Sequence, residues 1–152
     1  MASLLGNAVI SGTFASVVSG AVLATLAKAE GKDAVQPLNA TSHWLQGELS
    51  GQVTEVDAAH TGLGVATHHG ACMFWATVFE TFRDASPTDS VGGIVRDAVA
   101  VSAIAAAVDY GLVPKKLTPG WEEVLPARSI AGGFAGLALG LALGGMVTAK
   151  LR

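Results

Sequence analysis

Charge is what this sequence has least of. Asp, Glu, Lys and Arg make up 14% of its 152 residues, where a soluble domain carries about a quarter. That deficit leaves too little polar surface to coat a water-soluble helical bundle, so a soluble all-α protein is the weaker reading. Cysteine occurs once, at Cys72, which excludes an intrachain disulfide. A formal net charge of −3 and the lack of basic clusters give no support for nucleic-acid binding. No HExxH, paired CxxC, repeated ExxH or GxSxG pattern occurs, so the usual signatures of zinc peptidases, di-metal bundles and serine hydrolases are missing. Residues Met1 to Leu4 carry no positive n-region, and the apolar run behind them is longer than a secretory h-region. The first helix is therefore expected to be retained, although Ala27-Lys28-Ala29 mimics a signal cleavage site.

What the sequence does have is long apolar runs. Hydrophobic residues make up 51% of the chain, and the mean hydropathy is +0.50. Residues 4–27 and 129–149 contain no charged side chain, and each run meets the roughly 20 residues a helix needs to cross about 30 Å of hydrocarbon. Residues 61–82 and 91–113 are as long but carry a few polar groups. The pattern predicts four transmembrane helices at 4–27, 61–82, 91–113 and 129–149. The expected fold is an all-α, single-domain, integral membrane four-helix bundle with the lipid bilayer as its solvent.

The polar residues inside those runs are the candidates for chemistry, because ionisable side chains are costly in hydrocarbon and usually face a bundle interior or a cavity. His68 and His69 interrupt the second run, and Glu80 lies near its end. Adjacent helical residues diverge by about 100°, so only one of the two histidines can face a given site. Arg96 and Asp97 sit in the first turns of the third run and Asp109 near its last, leaving the small and β-branched residues 98–108 as its dry middle. Glu80 and Arg83, three apart, are expected to pair at the membrane interface.

Small residues recur every fourth position in the first and last helices: Gly12, Ser16, Gly20 and Ala24, then Gly132, Gly136, Gly140 and Gly144. Such faces let helix backbones approach closely. They serve either packing within the bundle or, for the last helix, homo-oligomerisation or assembly into a larger membrane complex.

The connections carry the remaining signals. Within residues 28–60, the stretch from Gln36 to Leu45 predicts one short interfacial helix begun near Pro37, with Asn39 and His43 on one face. In the third connection, Thr118 is expected to cap a short helix with Pro119 at its first position and Trp121 at headgroup level. Glu122 and Glu123 then fall in a solvated or interfacial turn. Topology puts His43 and His60 on the same membrane side as Asp109, Tyr110 and Glu123, with His68 and His69 about two turns inside it. Basic residues are nearly balanced across the membrane; a small excess places the first and third connections in the cytoplasm and both termini outside.

The segments NATSHWL from Asn39, THHGACMFWATVFE from Thr67 and VDYGLVPKKLTPGWE from Val108 resemble a family of small, uncharacterised bacterial inner-membrane proteins. The resemblance covers roughly residues 36–125 and implies a multi-pass protein of the bacterial inner membrane with four helices. It implies no activity.

Four functions compete. The leading one is an accessory or scaffold protein in which Asn39, His43, His68, His69, Asp109, Tyr110 and Glu123 form an interhelical polar cluster that fixes helix register. The second is a metal or haem site built from His43, one of His68 and His69, and Asp109, with Glu123 as an alternative carboxylate. The third is proton or small-solute transport through His and Asp groups. The fourth is an enzyme acting on lipid, with His43, His68 and Asp109 as acid-base groups, which the lack of a nucleophile motif leaves least supported.

Overall fold

The computed structural model of the chain describes residues 3–87 and 90–151, and these contain helices, turns and no strand. Met1 and Arg152, which entered the targeting and orientation arguments, lie outside the described residues. Four helices are long: α1 (Leu4–Ala29), α4 (Leu63–Ala85), α5 (Val91–Gly111) and α6 (Ala127–Ala149). Two short ones, α2 (Gln36–Ala40) and α3 (His43–Gln46), lie between α1 and α4. The long helices fall within a few residues of the four expected runs. Hydrophobic runs set their lengths and local signals set their starts. The Ser3 hydroxyl accepts from the Gly6 amide at 3.1 Å to open α1, and the Ser90 hydroxyl accepts from Gly93 at 3.1 Å to open α5. Pro126 sits at the N-cap of α6.

Three of the four, α1, α5 and α6, are long and apolar enough to cross a membrane. Helix α4 has the length but not the apolarity. Three of its polar residues face inward: His68 is 5% exposed, Glu80 0% and Arg83 1%, while Val65, Phe74 and Phe82 point outward.

Helix α1 packs along α6 and α4, and α5 packs on α6 and more thinly on α4. The small-residue faces explain the closest seam. A Cβ on Gly140 would come within 2.5 Å of the Ala15 Cα, one on Gly144 within 2.5 Å of the Ser11 Cα, and one on Gly136 within 3.1 Å of the Ser19 Cα. Of the two uses expected for this face, the structure shows packing within the chain, with α1 against it. The matching face of α1 is likewise used inside the chain, where Gly12 lies against Met73. Between these seams sits a core of fully buried side chains that includes Leu23, Phe79, Ile94, Val101 and Leu141.

Polar residues tie the helices at two levels. Near the start of α1, Glu80 accepts from the hydroxyls of Ser11 and Thr148, and its other oxygen lies 3.1 Å from Arg83 Nη1. The expected Glu80–Arg83 pair therefore forms, and it is buried among three helices. Arg83 also donates to Thr148 at 2.7 Å, and its guanidinium lies 5.4 Å from the Phe79 ring centre. At the opposite end of α1, Glu30 accepts from Arg128 at 2.8 Å and from the Ser129 hydroxyl at 2.7 Å. These two partners hold the Glu30 carboxyl below the usual carboxylate range, the Ser129 bond contributing most.

The first connection differs from its expected form. The chain breaks at Thr41 and Ser42, giving two short helices instead of one. Asn39 is fully buried, donating to the Val53 and Glu55 carbonyls at 2.8 and 3.0 Å and accepting from Thr61 at 2.6 Å. It staples the following loop to the start of α4.

Candidate functional site

A cavity of about 230 Å³ lies beside the seam where α4 meets α5, at the end of the molecule that carries α2, α3 and the connection after α5. Helix α4 supplies Thr67, His68, Ala71, Cys72 and Trp75; α5 supplies Asp109; α1 supplies Ser19; and α6 supplies Phe134 and Leu137. Thr41, Trp44 and residues 116–119 with Trp121 form the rim and roof. The walls are mainly apolar. The chain's three tryptophans, Trp44, Trp75 and Trp121, all line this one cavity.

The roof is held by a backbone that only glycine allows. Gly120 has φ +79°, and a Cβ there would come within 2.5 Å of the Ala40 carbonyl and 2.7 Å of His43 Nδ1. The chain then turns into Trp121, which is 5% exposed and donates its indole hydrogen to Thr41 at 3.2 Å. Its ring centre lies 6.1 Å from His68 and 5.3 Å from Phe134. Trp121 was expected at headgroup level and is instead a core residue; the left-handed turn at Gly120 carries it inward.

His68 is the histidine that faces the cavity. Its Nε2 lies 3.1 Å from the Ser19 hydroxyl and 3.2 Å from the Ser16 carbonyl. The Ser19 hydrogen is directed to the Ala15 carbonyl at 2.6 Å, and a carbonyl only accepts. Nε2 therefore carries the hydrogen, and in the neutral ring the lone pair sits on Nδ1. This polarity runs against nucleophilic activation of Ser19, which would need a lone pair on Nε2 to take its proton. The Cys72 thiol is 3.8 Å from Nε2 and buried.

Asp109 is half-buried, and among the described residues no side chain or backbone donor bonds its carboxylate. The sequence-based proximity of His68 and Asp109 thus becomes a shared cavity lining. The other candidates lie elsewhere. His69 is half-buried on another face of α4 and does not line this cavity. His43 is buried with its ring nitrogens near the Ala40 carbonyl at 3.0 Å and the Lys115 carbonyl at 3.3 Å, beside a separate surface hollow. Tyr110 donates to Glu122 at 2.9 Å, and Thr118 reaches the same carboxylate at 2.6 Å. Glu123 packs near Gly51, where burial pushes its carboxyl up. His60 pairs with Asp57 at 2.9 Å at the entry to α4.

The seven residues of the expected polar cluster are therefore dispersed: Asn39 to the loop staple, His43 to the α2–α3 corner, His69 to another face of α4, Tyr110 to a bond with Glu122, Glu123 to the connection after α5, and only His68 and Asp109 to the cavity. Among the described residues, no group of three or more His, Cys, Asp and Glu side chains is placed to hold a metal ion. Sequence reasoning missed Ser19, Trp121 and Phe134 as site residues. The stripe Asn7, Ser11, Ala15, Ser19 at four-residue spacing is the signal that could have found Ser19.

Comparison with protein families, with characterised proteins and with solved structures finds no match to this chain.

Proposed function

We propose that the chain is a four-pass protein of the bacterial inner membrane, a four-helix bundle that binds a small, largely apolar molecule at one mouth. The single observation that carries the binding reading is the aromatic-walled cavity of about 230 Å³ with His68 and Asp109 in its lining. A dry engineered cavity of about 150 Å³ already accepts benzene, so this space suits a compound of one ring with substituents. The four-pass reading is supported by α4, where His68, Glu80 and Arg83 are buried while Val65, Phe74 and Phe82 are exposed. The bacterial location rests on the motif resemblance.

Because all three tryptophans line the cavity, intrinsic fluorescence reads its occupancy. Bromobenzene, titrated into protein in lipid nanodiscs, quenches saturably if the cavity binds and linearly if the solute only partitions into lipid. An Ala71→Phe variant that fills the space removes the saturable part. A linear response in the wild-type protein would overturn the reading.

The accessory or scaffold reading is the second one, and the buried Glu80–Arg83–Ser11–Thr148 knot favours it. Interhelical polar contacts of this kind fix register whatever the cavity holds. Co-purification of a stoichiometric partner subunit from native membranes supports it; recovery of the chain alone under mild extraction speaks against it.

A further inference from the structure

The cavity has a chemical sign. Asp109 brings a carboxylate into an aromatic lining and finds no partner there among the described residues. It stands in the last turn of α5, which ends at Gly111, so the partial negative charge of that helix end adds to its own. The His68 ring, with its Nε2 hydrogen turned to the Ser16 carbonyl, leaves the Nδ1 lone pair as a second acceptor. Trp75, Trp121 and Phe134 line the same space, and aromatic rings attract a cation over their faces.

Two other titratable groups line the space. Cys72 is one, with its sulfur 3.8 Å from His68 Nε2. Lys116 is exposed on the rim and makes no ion pair with Asp109 among the described residues. The interior therefore lacks a cation, and its charge and hydrogen-bonding pattern call for one.

We propose that the cavity takes a small primary ammonium compound with an apolar, ring-sized body, its N–H groups on the Asp109 carboxylate and the His68 acceptor and its body against the tryptophans. The proposal rests on the binding reading above and names the ligand class for it. A neutral isostere fills the same space but leaves the carboxylate unpaired, and an anion meets repulsion from it.

The test uses three probes of one shape: 4-bromobenzylammonium, 4-bromotoluene and 4-bromobenzoate. Each is titrated by tryptophan quenching into the full chain in nanodiscs of neutral lipid, with Ala71→Phe as the filled-cavity control. The expected result is saturable binding of the ammonium compound at least tenfold tighter than 4-bromotoluene, with the benzoate weakest. In Asp109→Asn, 4-bromotoluene still binds saturably and the ammonium preference over it falls to within about twofold. Equal affinity for the ammonium compound and 4-bromotoluene, or an unchanged ammonium preference in Asp109→Asn, overturns the cation assignment while leaving cavity binding intact. No saturable quenching by any of the three overturns the binding reading itself. Thermal unfolding of each variant confirms that a lost signal reflects the site and not the fold.

Discussion

The Nε2 of His68 lies 3.1 Å from the Ser19 hydroxyl, which links α4 to α1 at the floor of the cavity. The Ser19 hydroxyl is also bonded within its own helix, to Ala15. The link is therefore a register contact with a fallback on each side: His68 keeps the Ser16 carbonyl, and Ser19 keeps Ala15. Ser19→Ala is expected to lower stability by only about 0.6 kcal/mol, the average for interhelical hydrogen bonds in membranes. Unfolding of the variant by SDS titration measures this. A loss of folding would mean that the contact does more than set register.

The α1–α6 seam depends on missing side chains. Gly140→Val places its Cβ against the Ala15 backbone, which cannot move without separating the helices. A cost of about 1–3 kcal/mol or more is expected from overpacking. Gly70→Ala on α4 meets no atom within 4 Å and serves as the control. Its stability should be unchanged or slightly raised, since alanine is the better helix former.

The knot around Glu80 should respond very differently to single and double substitution. Glu80→Gln leaves the Arg83 guanidinium, 1% exposed, without its carboxylate. Breaking a buried pair from one side costs about 3–5 kcal/mol. Glu80→Leu combined with Arg83→Met removes both charges and is expected to cost clearly less, or nothing. Thermal melts of the single and double variants in one detergent decide it.

The Glu30 clamp on Arg128 and Ser129 makes stability depend on pH in one direction. The folded-state carboxyl is held below its ordinary value of 4.5, so the clamp contributes fully above that value. It is lost as the pH falls through the lower, folded-state value. Melting temperature should therefore drop below about pH 4.5, and Glu30→Gln should flatten part of that drop while lowering stability at pH 7. Asp57, held low first by the His60 amide and then by the His60 ring, acts in the same sense at the entry to α4. A Glu30→Gln melt that keeps the full acid-side drop would assign the effect elsewhere.

The long helices were legible because length and the absence of charge decide them almost alone: residues 4–27 and 129–149 admit little else. Both small-residue ladders were legible as packing faces, but the partner of the last one was not, since spacing says how closely a helix can be approached and not by what. His68 and Asp109 were brought near each other by counting turns from one membrane side. His43 was misjudged for a local reason: the break at Thr41 and Ser42 separates it from the face of Asn39 and turns its ring toward the Ala40 and Lys115 carbonyls. Trp121 was misjudged because a single left-handed glycine reverses the chain before it, and no hydropathy pattern records that. Glu80 and Arg83 read as interfacial because they lie near the end of the second run, and no spacing within that run records that Ser11 and Thr148 meet them from two other helices.

Whether α4 crosses the bilayer tests the account most directly, since the cavity, His68 and the buried pair all sit on it. In a Cys72→Ser background, Lys32→Cys and Lys116→Cys mark the first and third connections for a membrane-impermeant maleimide applied to sealed vesicles. Four crossings put both cysteines on the same side, so both label or both are protected, with a cysteine at Ser86 showing the opposite behaviour. Labelling of Lys32→Cys and Lys116→Cys from opposite sides would mean that α4 does not cross, and would contradict the account.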